Sequence, residues 1–61
     1  MDRTTAVQKA VNAVAVTTQV LNDYGQASTE YAAAYATARQ KVIDARQSGA
    51  TDNDFRTTRP A

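Results

Sequence analysis

Lys9, Lys41, Asp23, Glu30 and Asp44 are the lysines and carboxylates from which a catalytic base or acid in the helical part of this chain would have to come. The sequence has no histidine and no cysteine. Covalent catalysis would therefore need a hydroxyl, or a lysine itself, activated by a lysine or a carboxylate. These five residues do not cluster, and each falls at a solvent-facing position of its helical pattern. An enzyme also needs a concave pocket, for which a narrow alanine-packed hairpin has no room. The chain reads as non-enzymatic, with no catalytic residue, no cofactor site and no small-molecule substrate. Without histidine or cysteine the usual zinc ligands are missing, and six scattered carboxylates are a poor basis for a hard-cation site, so no metal is expected.

Two further groups of residues bear on binding. Arg39, Lys41 and Arg46, with Arg56 and Arg59, form the main basic enrichment, but Asp44, Asp52 and Asp54 are interleaved with them. A solvated face with a few charge pairs is the reading that fits. Net charge is +1, and residues 1–25, 26–49 and 50–61 sum to zero, +1 and zero. That balance leaves no electrostatic footprint for nucleic acid or an anionic membrane. Tyr24, Tyr31 and Tyr35 fall in apolar rows with no lysine or arginine within three residues of any of them. They suit packing at the turn end of a hairpin better than stacking on bases.

The elements that position these groups are two alanine-rich helices. In the first, Val7, Val11, Val14, Thr18 and Leu21 follow a 4-3-4-3 spacing that keeps them on one face. A second row, Ala6, Ala10, Ala13, Thr17, Val20 and Tyr24, runs one position earlier. Together the rows span roughly 180–200° of the helix, about twice the stripe that one neighbour covers. Val7, Val14 and Leu21 are expected inside the hairpin, leaving Ala6, Ala10, Ala13 and Val20 for another chain, unless the two rows exchange roles. The run Ala-Val-Ala-Val-Thr-Thr-Gln-Val would also suit a strand. Alanines throughout and the sustained 3-4 spacing decide for helix.

Asp2, Thr4 and Thr5 are start signals for the first helix. Gly25 ends it and Ser28 caps the second, so the two are antiparallel neighbours. The second helix repeats the rhythm with Tyr31, Tyr35, Ala38, Val42 and Ala45, and Gly49 terminates it. Residues 1–49 thus form a helical hairpin, with helix one about 4–24, the turn about 25–27 and helix two about 28–48. Residues 50–61 form a polar tail. Thr51 to Asp54 resembles a capping box with aspartate in place of glutamate, able to start one more turn. Phe55 is the one large apolar group of the tail, and if the tail is ordered, something outside the hairpin is expected to hold it.

At 61 residues the chain is one domain with a small core, and half of its apolar residues are alanine. With no disulfide or metal, association is the remaining stabiliser. The expected fold is all-α, an antiparallel two-helix hairpin with a short C-terminal tail, packing into an oligomeric helical bundle or larger assembly. The interface residues are read as Val7, Ala10, Ala13, Val14, Val20, Leu21, Tyr31, Tyr35, Val42 and Phe55. The longest uncharged apolar run, residues 10–22, is too short and too polar for a membrane span, which needs about 20 apolar residues. No targeting segment is visible, and a soluble protein, cytoplasmic or within a virus particle, is expected. The function that follows is structural: a building block packing with copies of itself or with a larger partner, for which a minor virion component of a bacterial virus is one setting. In length and topology the layout is similar to the plasmid copy-number hairpins of the Rop type, which as dimers form a four-helix bundle that binds paired RNA loops. That resemblance implies a dimeric RNA-binding regulator as the alternative, and it transfers no residues. A small helical inhibitor of a host protein, working through the wide face of helix one, is a third reading.

Overall fold

Asp2 opens the first helix: its carboxylate accepts the Thr5 backbone N–H at 2.8 Å and the Thr5 hydroxyl at 3.1 Å. A computed structural model describes residues 2–61, as α1 (Arg3–Tyr24), α2 (Thr29–Gln47) and α3 (Asp52–Thr57). α1 and α2 pack side by side as a hairpin, and α3 folds back against α1. α1 ends at Gly25, whose φ of 88° and ψ of 164° lie in a region essentially open only to glycine. Ser28 then caps α2 by accepting the Tyr31 N–H at 3.0 Å. The end of α2 is a Schellman turn: Ala50 N–H donates to Ala45 O, Gly49 N–H donates to Arg46 O, and Gly49 has φ 99°. Ala50 also packs against the core cluster that holds Ala45, the apolar contact that accompanies this motif.

The core sits where the two ends of the hairpin meet the tail. Ala6, Val7, Ala10 and Ala45 are buried there, with Val11, Val42, Ala50 and Phe55 packed around them. Further along, Ala38 and Thr17 are buried between the helices. The Thr17 hydroxyl lies 2.8 Å from Ala13 O and 3.1 Å from Ala34 O, so its one proton is shared between its own helix and α2. That contact fixes how far one helix is slid along the other.

Two expectations change. The rows of α1 exchange roles: the alanine row faces α2, while Val14 is 47% and Leu21 36% exposed. The cause is close approach. Alanine at 6, 10 and 13 lets the backbones come together along that line. Val14 then stands roughly 60° round the helix from Thr17, on the flank of the contact. Val7, at the tail end, stays covered at 2% exposed. The second change is in the tail, which the hairpin itself holds. The capping box forms, with Asp54 N–H donating to Thr51 Oγ1 and Thr51 N–H to Asp54 Oδ2. Phe55 reaches the core, Gln8 Nε2 donates to Arg59 O at 2.8 Å, and Ala61 N–H donates to Asn12 Oδ1 at 2.9 Å.

Candidate functional site

The hairpin is a layer two helices wide, and it presents two broad faces. On the first, Val14 and Thr18 of α1 stand opposite Tyr31, Tyr35, Val42 and Ile43 of α2 across a groove of about 370 Å³, with Ala38 at its floor. The groove forms because the alanine contact draws the backbones close and leaves the larger side chains standing on either side. Tyr31 and Tyr35, one turn apart, meet with ring centroids 6.0 Å apart at 55°. Tyr35 is 53% and Ile43 39% exposed, so the groove is open to solvent along its length. In volume it reaches the lower end of ligand pockets, but an open apolar channel matches the side chains of another helix better than an enclosed small molecule.

Arg39 and Arg46 flank this groove. Arg46 is engaged in place: its guanidinium lies 5.2 Å from the centroid of the Phe55 ring and 3.1 Å from the Asp52 carboxylate. It thereby ties α3 to α2 and closes the tail end of the groove. A second tie runs from α1, where Arg3 stands 3.7 Å from Asp54. The Thr51 N–H, and beyond it Arg3, hold the Asp54 carboxyl below its ordinary range. The Thr5 amide and hydroxyl do the same to Asp2.

The second face carries a shallower groove between Ala13 and Val16 of α1 and Ala33, Ala34 and Thr37 of α2. Val16 is 58% exposed there. The tail does not line this side.

Of the residues expected at an interface, the structure gathers Val14, Tyr31, Tyr35 and Val42 into the first groove. Leu21 continues that line toward the turn by helical spacing and is exposed. Ala13 and Val20 are half-buried on the inner row. Val7 and Ala10, 2% and 0% exposed, lie in the chain's own core, which leaves little or nothing of them for another chain to cover. Phe55 is half-buried against that core. Gln8 and Asn12, polar residues of α1 outside its two apolar rows, are the anchors of the last residues of the tail. The sequence holds no signal for that role, because both bonds reach residues about fifty positions away.

Among the described residues no group of histidine, cysteine or carboxylate side chains is placed to hold a metal ion. Among the described residues no helix is long and apolar enough to cross a membrane. No family model, no curated protein and no solved structure matches this chain.

Proposed function

We propose that this chain is a non-enzymatic association module, a structural building block that works by packing its helices against protein. The observation that carries the reading is the open groove of the first face, where Val14, Tyr31, Tyr35, Val42 and Ile43 leave large apolar groups uncovered on a chain with few of them. A chain this short gains more from covering such a face than from leaving it wet. The groove runs along α2 from Tyr31 to Arg46, a few helical turns, with Arg39 on its α2 side, which suits an amphipathic helix carrying an acidic residue at that margin.

The test is the mass of the untagged protein recovered from its native setting, beside Val14→Glu and Tyr35→Glu variants. Both positions are about half exposed, so the monomer should keep its helicity by circular dichroism. The wild type is expected in a particle heavier than one chain, and the variants are expected to be lost from it, because each places a charge in a dry contact. Recovery of wild type and variants alike as free single chains would end the proposal. A particle containing RNA that releases the protein on ribonuclease treatment would replace it with the regulator.

A further inference from the structure

The hairpin turns an evenly charged sequence into a bipolar object. Between Lys9 and Arg39 the only charges are Asp23 and Glu30, and folding places both beside the turn. The turn end is therefore −2. The seven lysines and arginines lie from the middle of the hairpin to its tail end, and against four carboxylates they bring that half to +3. Such an object complements a copy of itself laid head to tail.

The second face supplies the register. Along α1 the residues Lys9, Ala13, Val16, Val20 and Asp23 follow 4-3-4-3 spacing, and along α2 so do Glu30, Ala34, Thr37 and Lys41, up to its last step. Each line has a cation toward the tail, an anion toward the turn, and small or β-branched residues between. Lys9 and Asp23 are equidistant from Val16; Glu30 and Lys41 are equidistant from the midpoint of Ala34 and Thr37. The structure brings these two centres to one level, since Val16, Ala34 and Thr37 line the same groove and Thr17 bonds to Ala34 O.

From this coincidence we infer that the second face docks a second copy of this chain through a two-fold axis that crosses the helices at Val16, making an antiparallel four-helix bundle. One rotation then sets Lys9 against the partner's Asp23 and Lys41 against the partner's Glu30, each twice by symmetry. Val16 meets its own copy on the axis. Asp44, one turn beyond Lys41 on this face, falls opposite the partner's Ala27 and meets no acidic group directly. The other two-fold arrangement, turn over turn, would set Asp23 and Glu30 against carboxylates and the lysines against lysines, so charge selects the antiparallel form. The molecule measures 32 × 18 × 16 Å, giving a face of roughly 500–600 Å² per partner, at the low end of specific interfaces. Association is therefore weak and salt-sensitive, with the ion pairs setting orientation more than strength.

The inference rests on the chain being an association module but uses the face opposite the Tyr31–Tyr35 groove, so the two are separable. The experiment is sedimentation equilibrium of the untagged protein from 20 μM to 1 mM at low and high salt. It includes the double variants Lys9→Glu/Lys41→Glu and Asp23→Lys/Glu30→Lys, alone and mixed. A dimer is expected at low salt, weakened about tenfold by high salt or by either double variant, and restored when the two variants are mixed. The chain has no cysteine. Val16→Cys should therefore give a disulfide-linked dimer on mild oxidation, and Tyr24→Cys should not. A wild type monomeric up to 1 mM at low salt, undiminished dimerisation of the double variants, or failure of the mixture to restore it would overturn the inference. Loss of dimer in Val14→Glu but not in the charge variants would move the contact to the first face, leaving the proposed function standing without this arrangement.

Discussion

At the scale of single residues, Gly25 shows how one backbone position makes a hairpin. Its φ and ψ, 88° and 164°, combine a positive φ with an extended ψ, outside the left-handed helical basin that asparagine tolerates. A Cβ placed there meets no atom within 4 Å, so the cost of substitution is conformational and not a clash. Gly25→Val is expected to lower stability by about 1–3 kcal/mol in urea unfolding followed by circular dichroism. The neighbouring Gln26→Ala, at an exposed position, should change it by less than about 0.5 kcal/mol. Equal effects of the two would show that the turn does not depend on the glycine geometry. Thr17 is the other residue with reach beyond its size, because its one hydroxyl links both helices and sets the level at which their residues face each other.

At the scale of elements, α3 is six residues long and has little helical stability of its own. It is held by the Phe55 ring on the core, the Arg46 contacts to Phe55 and Asp52, and the Asp54 capping box with Arg3 beside it. Phe55→Ala should release residues 51–61 while leaving α1 and α2 helical, and should cost about 1–2 kcal/mol, since the ring is only partly buried. Acid should act on the same element through Asp54. A carboxyl whose folded-state pKa is depressed stabilises fully above its unfolded value of 3.8, and the contribution is lost as pH falls through the lowered folded value. Docking of α3 should thus be constant from neutral pH to about 5 and weaken below about 4. Asp54→Asn should remove its share of that pH dependence. Backbone NMR of residues 51–61 checks both arms, and a tail that stays fixed after Phe55→Ala would show that Phe55 is not its anchor.

At the scale of the whole molecule, the buried apolar core among the described residues is Ala6, Val7, Ala10, Ala38 and Ala45, four of them alanine. Valine, leucine, isoleucine and tyrosine side chains are left largely on the two faces of the layer. A single chain so built has little apolar burial to set against the ordering of its backbone. The melting temperature is accordingly expected to rise with protein concentration, because association stabilises only the folded state. Calorimetry between 10 μM and 1 mM checks this, and a concentration-independent transition would show that the lone hairpin suffices. The charge distribution belongs to this scale too, since residues 1–25, 26–49 and 50–61 each sum to no more than one charge, while the folded ends carry −2 and +3.

The sequence by itself determined the helices, the turn and the caps. These are local: Asp2, Gly25, Ser28, Thr51 and Asp54 act within three or four residues, and the 4-3 spacing of apolar side chains needs no partner to be read. Only the tertiary structure decided which of two adjacent rows on α1 turns inward, because that depends on the rotation of one helix against another. Close alanine packing and the Thr17–Ala34 bond set it, at the expense of the larger Val14 and Leu21. The docked tail was equally out of reach, resting on Gln8 and Asn12 bonding to residues far along the chain. So was the polarity of the molecule. Charge read along a chain is a sum over neighbours in sequence, whereas a hairpin adds the two ends of that chain together in space.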